Sequence, residues 1–236
     1  MSERTISSPA RLVSPMTELP SWALLAIMYS ASAVAWPRAA QRIAVHWNIH
    51  GQIDGYGGRV TGLLVLPLVA TGLCLLFRWL PRIDPGRTNY PSFARAHDVL
   101  RTAALAFMAA LHLLILAPVF GHRVRMTSAI PALVGALLVV IGAVMGKVRP
   151  NWFFGIRTPW TLSSKTAWIR THRLGGWLFV AAGALALVTA AAVPRVALVA
   201  TVASALGAAL VAVIYSYVVW RHADDRLPPA GTSPAD

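Results

Sequence analysis

His46, His50 and Asp54 stand four residues apart each time, and two histidines with a carboxylate are a donor set that zinc accepts. On a helix this spacing would put all three on one face. Gly51, Gly55, Gly57 and Gly58 argue against a helix, because glycines punctuate turns. The alternation of Ile43, Val45 and Trp47 reads instead as a short strand. Three roles stay open for the segment: His and Asn tying a structured loop together by hydrogen bonds, contact with a ligand or peptide, and metal binding. Fold-keeping is the leading reading, with Trp47 and Tyr56 as headgroup anchors, and no metal or other cofactor is expected.

A second concentration of chemistry runs from Lys147 to Gly176, where Trp152, Trp160, Trp168 and Trp177 interleave with Arg149, Arg157, Arg170 and Arg173. Rings at headgroup depth with cations among phosphates describe a segment lying in a membrane interface. A protein or peptide contact fits the same residues. Thr161 or Ser163 is placed to N-cap a helix in which Ser164, Trp168 and His172 share a face. Gly175-Gly176 would then permit close packing or a bend. Arg157, between Gly155 and Pro159, sits in a turn expected to fix its guanidinium for paired hydrogen bonds that Lys cannot make. His112 is the ionisable residue deep in an apolar run, read either as a buried hydrogen-bonding group or as part of a peptide or proton site. The eight Asp and Glu avoid the apolar runs, and no HExxH, GxSxG or phosphate loop occurs. The chain is not expected to be an enzyme.

The elements that must position these residues are membrane helices. Hydrophobic residues make up 57% of the chain and charged residues 12%, roughly half the charged share of an ordinary soluble domain. The apolar residues gather in runs at 20–37, 60–80, 102–120, 129–146, 174–193 and 196–220, each near the ~20 residues that span a bilayer. The expected fold is an all-α integral membrane protein of six transmembrane helices. The loop after the first is structured, and the Trp- and Arg-rich loop follows the fourth. Ser30 to Ala33 are small residues of the kind signal peptidase accepts, but the polar start holds Glu3 and Glu18, and an uncleaved first helix is expected. With Arg78 counted at the inner end of the second run, 15 of the 21 Lys and Arg fall on the side of the N-tail, second loop, fourth loop and C-tail. Positive residues favour the cytoplasm, so both termini and the fourth loop are expected inside and His46 to Arg59 outside. The net charge of +13 is thereby assigned to topology and anionic lipid, not to direct nucleic-acid binding. Cys74, the single cysteine, reads as a packing residue. Four regions result: a disordered tail over 1–19, helices one and two with the outer loop over 20–98, helices three to six over 99–220, and a disordered tail over 221–236.

Two motifs resemble known families. His46, Trp47, Asn48, Gly51, Asp54, Gly55, Tyr56 and Gly57, with Arg59 at a place often held by Lys, resemble the small domain of unknown function numbered 1648; Ala44 stands where Pro is usual. Asn151, Phe154 to Leu162, Trp168 and Thr171 to Gly175 resemble the signature of the SdpI immunity-protein family. Gly142-Ala143-Val144 stands where that family often has Gly-Asn-aromatic. The resemblance implies a multi-pass protein of a bacterial plasma membrane that protects the cell from a secreted antimicrobial peptide. In some relatives it also implies holding a small cytoplasmic transcriptional repressor at the membrane. Membrane lipids, the peptide and the repressor are the partners so implied. The candidate outer contact is His46, Asn48, Gly51, Asp54, Gly55, Tyr56 and Gly57. The candidate inner contact is Asn151, Gly155, Arg157, Thr158, Pro159, Trp160, Trp168, Thr171, His172 and Arg173. The alternative is a small transporter or permease, which should line its bundle with polar residues.

Overall fold

In the computed structural model, residues 15–227 are described; the tails expected over 1–14 and 228–236 lie outside them. Helix α1 (Pro15–Ala35) leads into a hairpin of β1 (Ile43–Trp47) and β2 (Ile53–Gly57). Helices α2 (Arg59–Ile83), α3 (Tyr90–Leu116) and α4 (Met126–Met145) follow, then the short α5 (Pro159–Leu162), α6 (Lys165–Ala192) and α7 (Pro194–Arg221). Helices α2, α3 with its flanking turns, α4, α6 and α7 are long and apolar enough to cross a membrane, so the chain is a multi-pass membrane protein. Their outward faces carry exposed Leu and Val, among them Val188, Leu206 and Leu210, as hydrocarbon requires. Helix α1 is 21 residues long but is not among those five, because Glu18, Pro20, Ser21, Ser30 and Ser32 dilute its apolar content.

Several expected bounds move. Helix α1 begins at Pro15, inside the stretch read as tail. Helix α3 starts at Tyr90 rather than 102, kinks at Phe93 (φ −132°, ψ 24°), and continues through the expected boundary at 98/99. The reason is that Arg95, His97, Asp98 and Arg101, taken from sequence as loop, lie on a helix whose inward charges are neutralised by neighbours. Helix α6 starts at Lys165 and continues into the apolar run from 174, as the helix expected through Trp168 and His172 would. After α7 the chain does not simply leave: Leu227 N–H donates to the Ser163 carbonyl at 2.9 Å.

Helices α1, α2 and α3 pack through Leu25, Met28, Ala70, Cys74, Leu105 and Ala109. At one end of this group Ile43 of the hairpin is buried with Ala35, Ala39, Leu63, Ile115 and Leu116. Helices α4, α6 and α7 form a second group. Here the α4 and α6 backbones nearly touch: a Cβ on Gly142 would stand 2.5 Å from the Gly176 carbonyl oxygen, and one on Gly183 2.5 Å from that of Gly135. Small residues permit such approach where lipid offers no hydrophobic drive. At the end opposite the hairpin, residues 146–164 bridge the α2–α3 turn and the chain leaving α7.

Candidate functional site

The segment between α1 and α2 folds as the alternation predicts. Strands β1 and β2 pair antiparallel with Ile43 opposite Gly57 and Trp47 opposite Ile53, and two irregularities interrupt the register. Asn48 builds the turn: its Oδ1 accepts from the His50 N–H at 2.9 Å and the Gln52 N–H at 3.0 Å, and its Nδ2 donates to Gln52 Oε1 at 3.1 Å. Gly51 closes it at φ +75°, where a side chain would be strained, and lies against Thr127 at the start of α4. Across the strands His46 Nδ1 and Asp54 Oδ1 stand 2.5 Å apart. His50 lies in the turn, and the hairpin does not gather the three residues as a helix would have. Among the described residues no three His, Cys, Asp or Glu are grouped to hold a metal. Gly55 leaves room for His46, and Gly57 for Thr61. Tyr56 is exposed, with the Arg42 guanidinium 4.7 Å over its ring. Trp47 packs on the Ile43 cluster instead of standing free as an anchor.

The loop after α4 is bolted at both ends. At its start, the Asp84 carboxylate, fully buried after α2, accepts from the Gly86 N–H at 2.6 Å, the Tyr90 hydroxyl at 2.9 Å and the Trp152 N–H at 3.2 Å. Asn89 Nδ2 donates to the Pro150 carbonyl at 2.7 Å. Asn151 is buried and shapes the turn, its Oδ1 accepting from the Phe153 and Phe154 N–H groups at 2.9 and 2.6 Å. Phe154 stacks on Phe77 at 5.4 Å and meets the His97 ring edge-on at 5.5 Å. Gly155, at φ +98°, passes so close to His172 that a Cβ there would overlap the ring.

His172 is fully buried. Its Nε2 accepts from the Ile156 N–H at 3.0 Å, so the proton sits on Nδ1, which donates to the Trp168 carbonyl at 2.8 Å. With both nitrogens committed and no solvent access, His172 is a bridge between loop and helix and not an acid or base. Trp168 stacks on it at 4.0 Å and donates from Nε1 to the Val148 carbonyl at 3.0 Å. Trp168 is fully buried, which overturns the reading of all four tryptophans as interfacial; Trp152 and Trp177 are exposed. The expected caps also shift by a residue or more. Ser164 caps α6 by accepting from the Ala167 N–H at 3.0 Å, and Thr158, not Thr161 or Ser163, caps α5 in a reciprocal box with Thr161. Pro159 takes the first turn of α5, where a missing N–H costs nothing.

At its far end the loop is tied to α7 and the tail. Thr158 Oγ1 and Ser216 Oγ are 3.0 Å apart, and Trp160 packs at 5.1 Å from Tyr217. Asp225 Oδ1 accepts from the Ser164 hydroxyl at 2.6 Å and its Oδ2 from the Thr166 N–H at 2.9 Å. The Ser164 hydroxyl, then the Thr166 N–H, hold this carboxyl below its ordinary pKa. Residues to Leu227 are therefore anchored, where sequence suggested a disordered tail from 221. Arg157 remains on the surface, its guanidinium donating to the Trp152 carbonyl, and Arg173 is exposed too. Thr171 is buried beside them, its hydroxyl without a hydrogen-bond partner among the described residues.

Sequence reasoning missed two constellations. One is Asp84 with Asn89 and Tyr90, signalled only by the turn-forming Asp84-Pro85-Gly86. The other is a charged cluster at the same end of the first group. Arg78 pairs with Glu18; Arg101 donates to the Thr17 carbonyl and to Asp98 Oδ1, the latter at 3.1 Å. Arg101 is 2% exposed and Glu18 8%. Farther along the bundle, His112 is fully buried with Nε2 2.9 Å from Ser32 Oγ. Ser32 Oγ also lies 2.6 Å from the Leu63 carbonyl and 3.0 Å from the Met28 carbonyl. Together these contacts tie α1, α2 and α3.

Residues 147–218 match the model of the SdpI/YfhL protein family, and residues 23–71 match that of a domain of unknown function, DUF1648. No curated protein and no solved structure matches the chain.

Proposed function

We propose that this is a non-enzymatic immunity and signalling protein of a bacterial plasma membrane. It crosses the bilayer six times with both termini inside, meets a secreted antimicrobial peptide at the outer hairpin and presents residues 147–164 to a cytoplasmic partner such as a small transcriptional repressor. The match to the SdpI/YfhL family supports the immunity class. The observation that carries the contact role is the double tether of the inner loop, by Asp84 and Asn89 at one end and Thr158 and Ser164 at the other. A lipid anchor needs depth and charge but no fixed shape, whereas a loop held this way offers Arg157 in one orientation. Exchanging Arg157→Lys keeps the charge and removes the planar fork. At equal membrane abundance, this variant should lose protection against the peptide or the downstream response; full activity would reduce the loop to an anchor. His172→Ala is a poorer probe, since it withdraws the acceptor of the Ile156 N–H and loosens the loop itself.

Transport remains the second reading, because Glu18, Arg78, Asp98 and Arg101 supply the polar interior it requires. Their mutual pairing favours a structural role, and solute or proton flux in proteoliposomes separates the two.

A further inference from the structure

A cavity of about 730 Å³ opens beside the loop after α4, between the α2–α3 turn, the loop and the tail. Its lining includes Asn89, Ser92, Ser163, Arg149, Lys165 and Asp225. Neither Arg149 nor Lys165 has a carboxylate partner among the described residues: Arg149 donates only to the Gly146 carbonyl of its own turn, at 3.4 Å. Lys165 is the first residue of α6, whose N-terminus adds partial positive charge. The acid in the lining, Asp225, is turned away from both cations onto the Ser164 hydroxyl and the Thr166 N–H. The cleft thus shows what it takes, a carboxylate, and keeps two cations that its own carboxylate does not neutralise.

We propose that this cleft binds an acidic peptide segment of a cytoplasmic protein, and that Asp225 of the tail is its built-in competitor. The proposal rests on the reading of the loop as a contact surface and names the chemistry of the partner. Incoming carboxylates pair with Arg149 and Lys165 and displace Asp225 from the α6 N-terminus. The exposed tail from Asp224 to Leu227 then detaches, since apart from Asp225 the Leu227 N–H is what holds it to Ser163. Complementary charge of this kind governs partner choice and encounter rate.

The full chain in phosphatidylcholine nanodiscs, titrated with fluorescein-labelled hexaglutamate, tests it by anisotropy. The Arg149→Gln, Lys165→Gln double variant should bind about tenfold more weakly or worse, and Asp225→Asn should bind several-fold more tightly. Arg82→Gln with Arg95→Gln, which removes two cations from outside the cleft, should bind like wild type. Three results overturn the proposal: no binding by wild type or Asp225→Asn, equal weakening by the two double variants, or loss of the Asp225→Asn gain in phosphatidylglycerol nanodiscs, which would make the occupant a lipid headgroup. The assay does not depend on membrane orientation or on Arg157, so its failure leaves the broader contact reading to its own test.

Discussion

Two carboxylates hold opposite ends of one loop, and they do so in different surroundings. Asp84 is sealed under Trp152 and Tyr90, whereas Asp225 sits at the surface on Ser164 and Thr166. The depressed pKa of Asp225 has a definite sign. A group more acidic folded than unfolded stabilises above its unfolded pKa, and that contribution is lost as pH falls through the folded value. The tail contact should therefore be intact at neutral pH and open only below the ordinary carboxylate value of 3.8. Amide exchange at Thr166 and Leu227 reports it: both should be protected at neutral pH, and Asp225→Asn should expose them there. Unchanged protection in that variant would show that the carboxylate does not hold the tail.

Helix α3 carries the element-scale lesson. Its first three turns hold Arg95, His97, Asp98 and Arg101, and hydropathy alone reads them as loop. Much of what steadies them comes from another segment: Glu18 on α1, with Asp98 on α3 itself, balances Arg101, which is 2% exposed, while Arg78 on α2 shares Glu18. Removing one partner of a buried ion pair costs about 3–5 kcal/mol because the other charge is left uncompensated. Arg101→Gln should destabilise the protein by that order in detergent unfolding, and pairing it with Glu18→Gln should recover part of the loss; full stability of Arg101→Gln would dismiss the cluster as a prop. The same contrast explains what was legible. The hairpin was readable because Ile43, Val45 and Trp47 alternate and Gly51 marks its turn, all local signals. Trp168 was misplaced because an aromatic among arginines looks alike whether it faces lipid or stacks on His172, and only the fold decides. Asp84 gave no sign beyond a turn, since its partners Tyr90 and Trp152 come from separate segments.

At the scale of the molecule, two helix groups meet along α3 and α4, where an apolar cleft of about 290 Å³ is lined by Ala103, Ala106, Ala110 and Ala136 among others. The loop after α4 belongs by chain to the second group and is hydrogen-bonded to Asp84 and Asn89 of the first, so a shift of one group would be felt at Arg157. The proposed orientation is checked by cysteine labelling of intact cells: a cysteine at Gly57 should react with an impermeant maleimide and one at Ser163 should not, and the reverse pattern would invert the topology. The paired charges also bear on how such a chain enters a bilayer at all. Synthesis runs from the N-terminus, so Glu18 and Arg78 are made before Asp98 and Arg101. A lone arginine or aspartate at a helix centre costs roughly 2.5–3.5 kcal/mol to insert. By the time α3 leaves the ribosome Glu18 is already in the membrane, and the helix that carries Arg101 arrives last in its group, at a place prepared for it.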